Sequence, residues 1–206
     1  MNRKHPLMLL LLITLTFSFA PVAYEQVESV YDGDTIRLNS GEKVRYLGID
    51  APEIGRKGER DEFMSMASRD YNSYLATHKK VRLELDEEER DAYDRLLAYV
   101  FLENGDMINI VMVKQGLAWV MAKKPNLKYF TLLVNAQRSA MKEGLGIWSR
   151  EAAESEKRYL GSRESYRFHR PECVFGEQIQ PHNLLIFEKR REAFREGLSP
   201  CKHCEP

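Results

Sequence analysis

Apolar and polar residues alternate from Glu25 to Leu38 and again from Lys43 to Ile49, with Asn39-Ser40-Gly41-Glu42 between the two runs. A period of two broken by a polar, glycine-containing turn predicts a β-hairpin. The first run bends at Asp32-Gly33 and counts as two strands; Val81 to Leu85 and Leu96 to Leu102 add two more, for five in all. The spacing changes to three and four residues between Arg56 and His78, where Phe63, Met66, Ala67, Asp70, Tyr71 and Tyr74 recur, and this predicts a helix. A short helix follows over Met107 to Gln115, ended by Gly116. A third runs from about Leu127 to Lys142, with Tyr129, Leu132, Leu133, Ala136 and Ala140 on one side and Gly144 as its stop.

Five short strands with helices attached fit a Greek-key barrel of the OB type, partly open. The expected fold class is therefore α+β, a five-stranded OB-fold β-barrel with three helices, with a separate small module at the C-terminal end. Residues 151–161 are charged and poor in apolar side chains, which predicts a solvated helical linker between a domain at residues 24–150 and a module at residues 162–206.

The first 23 residues have the layout of a secretory signal peptide: Arg3 and Lys4, an apolar stretch from Leu7 to Phe19, then the small residues Ser18, Ala20 and Ala23. A retained membrane anchor is the alternative, although the apolar stretch is shorter than the ~20 residues a spanning helix needs. The reading is an exported protein, periplasmic or extracellular, with no stable membrane partner once the leader is removed. Net charge is +0; without Arg3 and Lys4 the balance is 29 basic against 31 acidic residues. Long-range attraction to a polyanion is thereby excluded, and any affinity for nucleic acid has to be local. All three cysteines lie beyond residue 170, so a disulfide framework for the main domain is excluded as well.

Local chemistry is concentrated at strand ends. Asp34 in Asp32-Gly33-Asp34-Thr35 and Asp50 in Asp50-Ala51-Pro52-Glu53 each present a carboxylate where a strand ends, and Glu53 adds a third. Three converging carboxylates form a hard-oxygen site of the kind Ca²⁺ prefers. Arg45 and Arg95 supply two guanidiniums suited to a phosphate whose charge grows during in-line attack. Asp34 and Asp50 are accordingly the metal ligands, Glu53 the general base for an attacking water, and Arg45 and Arg95 the transition-state stabilisers. Asp32 is read as stabilising its turn. Tyr93 is either a hydrogen-bond donor to a substrate phosphate or a packed strand residue.

The Asp-Gly-Asp-Thr turn, the Arg45-x4-Asp50-x-Pro-Glu53 run and the Asp91-x-Tyr93-x-Arg95-x-Leu-Ala-Tyr99 run, in this order, resemble the staphylococcal nuclease (thermonuclease) family over roughly residues 24–150. The resemblance implies an OB-fold, the backbone carbonyl of Ala51 as a third calcium ligand, DNA and RNA as substrates, and products with 3′-phosphate ends. This chain departs from it at Trp119 and Met121, where members of the family carry tyrosines that stack a base. Trp119 suits stacking and Met121 much less so.

In the tail, His169-x3-Cys173 and Cys201-x2-Cys204 are separated by 27 residues, a workable tetrahedral Zn²⁺ set of one imidazole and three thiolates. This segment resembles the zinc-binding domain of the Ada DNA-repair protein, down to Phe194-Arg-Glu-Gly197-Leu-Ser-Pro200-Cys201-Lys-His-Cys204. That family has a methyl-accepting cysteine where this chain has His169, so a structural zinc or a DNA-docking role is implied and methyl transfer is not. A Cys201–Cys204 disulfide is the competing account. His182 and His203 are read as surface or turn histidines. Two further readings of the whole chain are a non-catalytic module that binds nucleic acid or protein, and a calcium-stabilised envelope protein.

Overall fold

The computed structural model describes residues 23–55, 58–150 and 154–206. The leader expected over residues 1–23 lies, apart from residue 23, outside the described residues. Strands β1 (Glu25–Val30), β2 (Thr35–Leu38), β3 (Lys43–Tyr46), β5 (Lys80–Glu84) and β6 (Leu96–Leu102) form a closed barrel in the order β1-β2-β3-β6-β5. Closure comes from the antiparallel pairing of Glu25 with Val81 and Gln26 with Lys80, where the sequence leads one to expect a partly open barrel. β3 and β6 pair in parallel, with Arg45 opposite Leu97, and the remaining barrel pairs are antiparallel. The inward side chains, among them Val27, Ile36, Leu38, Val44, Tyr46, Tyr99 and Val100, are almost completely buried. This is the α+β, OB-type barrel.

A two-residue strand β4 (Ile49–Asp50) leaves the barrel and pairs with β7 (Trp119–Val120), a pairing that a two-residue apolar segment does not announce. The three helices attached to the barrel are α1 (Ser65–Ala76), α2 (Ile108–Lys114) and α3 (Phe130–Glu143). Helix α3 stops at Gly144, whose φ of 66° is the left-handed conformation that glycine adopts without strain.

Two of the helices differ from expectation. Helix α1 begins at Ser65; the start expected at Arg56 lies outside the described residues, and ahead of the helix Glu53 and Glu62 are joined by two hydrogen bonds, Glu62 N–H to Glu53 O and Glu53 N–H to Glu62 Oε2. Its buried face is Ser65, Ser68, Asn72 and Ala76, while Phe63, Met66 and Tyr74 point outward. Small polar side chains bring this helix close to the barrel and bond to it. Ser68 Oγ donates to Leu117 O at 2.6 Å, and Asn72 joins the Tyr46 hydroxyl to the carbonyl of Asp32.

In α3, Leu132 is 52% exposed whereas Gln137 is fully buried. The Gln137 amide accepts from Val120 N–H at 2.7 Å and donates to the carbonyl of Phe194, so both ends of a buried polar group are satisfied.

The C-terminal segment folds as β8 (Tyr159–Ser162), β9 (Arg167–His169), α4 (Val174–Glu177), β10 (Leu184–Phe187), α5 (Arg190–Arg195) and β11 (Ser199–Pro200), with sheet order β10-β8-β9-β11. It has a small core of Tyr159, Phe168, Phe187, Ala193 and Leu198. The described residues 154–158 carry no helix, and the span read as a linker ends in β8 rather than before it. The segment packs on the barrel's α3 side: Phe194 stacks edge-on against Trp148 with centroids 5.1 Å apart, and Gly197 lies so close to Phe130 and Val134 that a Cβ would meet them at 2.9 and 2.6 Å. Among the described residues no helix is long and apolar enough to cross a membrane.

Candidate active site

The turn that carries Asp34 is built by its own first residue. Asp32 Oδ1 accepts the backbone N–H of Asp34 at 3.0 Å, which folds the turn before β2. Gly33 then permits close contact: a Cβ there would stand 1.9 Å from Ser68 Oγ and 2.6 Å from Ala51 Cβ. With no side chain in the way, Asp34 Oδ2 reaches the N–H of Ala51 at 2.7 Å, and the turn is stitched to the end of β4.

Arg45 draws the two carboxylates together from β3. Its Nη2 lies 2.7 Å from Asp50 Oδ1 and 3.1 Å from Asp34 Oδ2, and its Nη1 donates to the carbonyls of Tyr46 and Ile49. All three residues are at least nine-tenths buried. Burial by itself would lower the pKa of Arg45, but the charges of Asp34 and Asp50 more than offset this and hold it above its ordinary value. Asp34 is pushed up to about 7, first by burial, with Arg45 opposing and Asp32 and Asp50 adding to the rise. One buried guanidinium serves both carboxylates, and among the described residues the only other cation on the pair is the exposed Lys202 ammonium, 3.6 Å from Asp50. The donor set, two converging buried carboxylates short of a second buried counter-charge, fits a hard divalent cation.

Arg95 lines the same cleft, a cavity of about 210 Å³ that it shares with Asp34, Arg45, Asp50, Glu53 and Asp91 among others. Its guanidinium is held by Asp91, whose Oδ2 is 2.8 Å from Nε and 2.7 Å from Nη2. The other oxygen of Asp91 caps the loop by accepting the N–H groups of Tyr93 and Arg95. Asp91 is the orienting group that sequence reasoning missed, although it opens the Asp-x-Tyr-x-Arg run and so was in plain view.

Glu53 lies at the rim, exposed, with its carboxyl raised above the ordinary range by partial burial and then by Asp50 and Asp32. Tyr93 is 83% exposed, with the Arg95 guanidinium 5.6 Å from its ring centroid, so it is not a packed strand residue. Trp119 lies outside this cleft. It lines a neighbouring one of about 700 Å³ with Phe63, Trp148, Arg150 and Arg191, while Met121 is among the residues lining the cleft that holds the carboxylates. Lys202, from the distant C-terminal segment, also lines this cleft, and no feature of its sequence neighbourhood announces it.

The second donor cluster is His169, Cys173, Cys201 and Cys204, whose ligand atoms all lie within 4.8 Å of one another. Strand β9 ends at His169, α4 begins after Cys173, and the tail after β11 returns the last two thiols. Cys173 Sγ is 3.5 Å from His169 Nδ1, and Cys204 Sγ accepts the N–H of Arg170. Burial and the nearby Arg167 lower the pKa of His169, favouring the neutral ring that ligates metals. The four donors together could hold one metal ion.

The staphylococcal nuclease homologue family matches residues 43–150 of this chain. The chain is 39% identical over 127 residues to the thermonuclease of Staphylococcus intermedius and 37% identical over 127 residues to that of Staphylococcus hyicus, covering in each case 60% of this chain and 75% of the relative. It is also 29% identical over 200 residues to the endonuclease YhcR of Bacillus subtilis (strain 168), covering 83% of this chain but 16% of that much longer protein. A match over more than half of the chain that takes in Arg45, Asp50, Glu53 and Arg95, with relatives this similar, shows that the chain belongs to the staphylococcal nuclease family and is a nuclease hydrolysing phosphodiester bonds.

Proposed function

We propose that the chain is an exported, Ca²⁺-dependent nuclease that hydrolyses DNA, and RNA as a second substrate, by attack of water on phosphorus. The reading is carried by one observation: Asp34 and Asp50 converge on a single Arg45 Nη2, within 3.1 Å, in a cleft that Glu53 and Arg95 share. Asp34, Asp50 and the Ala51 carbonyl would hold the calcium, which when bound supplies counter-charge to a phosphoryl oxygen.

Glu53 takes a proton from the attacking water as the new P–O bond forms. Arg45 and Arg95 stabilise the charge that grows on the phosphoryl oxygens; the bond from phosphorus to the 5′ oxygen breaks beside Arg95, held by Asp91, and that oxygen takes a proton from solvent, leaving a 3′-phosphate and a 5′-hydroxyl end. Exposed Tyr93 hydrogen-bonds a phosphate, and Trp119 stacks a base of the strand as it continues into the neighbouring cleft, whose aromatic rings and arginines suit single-stranded nucleic acid. Residues 24–150 form the nuclease domain. The span 151–161 connects it to the module of residues 162–206, in which His169, Cys173, Cys201 and Cys204 hold a structural Zn²⁺.

The deciding experiment is hydrolysis of single-stranded DNA with and without a calcium chelator. Cleavage that survives calcium removal, or a Glu53→Ala, Arg95→Ala double variant as fast as the parent, overturns the reading. Metal analysis of the purified protein, reporting calcium and zinc separately, tests the two sites independently.

A further inference from the structure

The catalytic cleft is lined by the acids Asp32, Asp34, Asp50, Glu53 and Asp91 and by the cations Arg45, Arg95, Lys123 and Lys202. A polyanionic strand arriving at the substrate-free cleft first meets the cations with the fewest protein partners. Before substrate binds, both terminal nitrogens of Arg45 are engaged by Asp34, Asp50 and two carbonyls. Arg95 is bound through two nitrogens to Asp91, and Lys123 pairs with Glu88 at 2.9 Å. Lys202 has a looser partner: its ammonium is 3.6 Å from Asp50 Oδ2, on a carboxylate that Arg45 already holds at 2.7 Å, and its side chain is 69% exposed. Among the described cations of the cleft it is the least committed.

Its position is set from the other side. Lys202 lies between Cys201 and Cys204, two members of the four-donor cluster. Cys201 N–H donates to Phe168 O at 2.9 Å, Glu205 N–H to Cys201 O at 3.0 Å, and Arg170 N–H to Cys204 Sγ. A metal held by both thiolates would tighten a turn whose outward side chain is Lys202.

We propose that Lys202 is a substrate-binding residue of the nuclease site, presenting its ammonium to a phosphate of the bound strand, and that the His169, Cys173, Cys201, Cys204 cluster holds it there. The inference rests on the nuclease reading above. It makes the C-terminal segment part of the active site.

Binding of a short single-stranded oligodeoxynucleotide is measured in the full chain, in a Glu53→Gln background, over a series of salt concentrations. Lys202→Ala is expected to weaken binding about tenfold and to reduce the slope of log affinity against log salt by roughly 0.7, the value of one phosphate contact on a single strand. Lys202→Arg should restore most of both. Unchanged affinity overturns the proposal, and so does weaker binding with an unchanged slope, since that is the result of a purely structural pair with Asp50. Cys204→Ser should weaken binding as Lys202→Ala does, with no further loss in the double variant. Additive losses would sink the role of the cluster. A parent protein that cleaves no DNA counts against the nuclease reading; a parent that cleaves beside a Lys202→Ala variant that binds equally well counts against this inference alone.

Discussion

Asp91 grips Arg95 three times, with Oδ2 2.8 Å from Nε and 2.7 Å from Nη2, and with Oδ1 accepting the backbone N–H of Arg95 at 3.0 Å. Burial alone would raise the carboxyl's pKa, yet these bonds and the one from Tyr93 N–H hold it below the ordinary range. A flexible guanidinium is thereby set in one orientation before substrate arrives, and the ordering entropy is spent during folding rather than in the transition state. Asp91→Ala should lower kcat/KM by about tenfold to a hundredfold, less than the roughly hundredfold to thousandfold of removing an oriented donor, because the guanidinium itself remains. Steady-state cleavage measures this, and an Asp91→Ala variant at the parent's rate would refute it.

Arg45 is the hub of a buried charge cluster, so replacing it leaves Asp34 and Asp50 without their buried counter-charge, with only the exposed Lys202 ammonium 3.6 Å from Asp50. Arg45→Met should cost about 3 kcal/mol of stability in calcium-free urea unfolding. Lysine should not rescue it, because one ammonium cannot serve two carboxylates and two carbonyls in the fork geometry. Added calcium should recover part of the loss, and a variant whose urea midpoint ignores calcium would contradict the assignment of the carboxylate pair as its site.

Gly33 is a space requirement rather than a dihedral one. A methyl group there would collide with Ser68 Oγ and Ala51 Cβ, forcing apart the turn and the end of β4 that Asp34 joins. Gly33→Ala should destabilise the protein by about 1–3 kcal/mol, the range for overpacking, and should impair cleavage by more than the unfolded fraction explains. Thermal unfolding and activity measured on the same preparation separate the two effects.

A pH dependence of stability follows from Glu84 on β5. Its carboxylate receives Lys128 Nζ at 2.8 Å, Arg82 Nη1 at 2.9 Å and the Tyr129 hydroxyl at 2.7 Å. Burial opposes ionisation, but the bonds from Lys128, Arg82 and Tyr129 prevail and bring the pKa to about 2, from 4.5 in the unfolded chain. With the folded value depressed, the stabilisation is fully present above pH 4.5 and is lost as pH falls from there toward 2. Glu84→Gln should therefore be about 2 kcal/mol less stable than the parent at pH 7, with the difference vanishing near pH 2. A gap that stays constant across that window would show that the contacts are not charge-dependent.

Much of this architecture is legible along the chain. The alternation through Glu25–Val30 and Thr35–Leu38 identifies barrel strands because every second side chain meets one continuous apolar interior. The three motifs identify the family because they follow in one order. The face of α1 is a different matter: periodicity assumes that what is buried is apolar, and there Ser68 and Asn72 are buried because backbone and hydroxyl partners await them.

By itself the sequence determined which side chains were available for the chemistry and, through local periodicity, the elements that carry them. Only the tertiary structure decided who partners whom: that Asp91 orients Arg95, that Gln137 links β7 to the C-terminal segment, that Trp119 leaves the cleft and that Lys202 enters it. The physical reason is that burial repeats at a local period and leaves a trace in neighbouring residues, whereas a contact such as Lys202 with Asp50 exists because two separately folded surfaces pack together, and nothing near either residue in the chain encodes it.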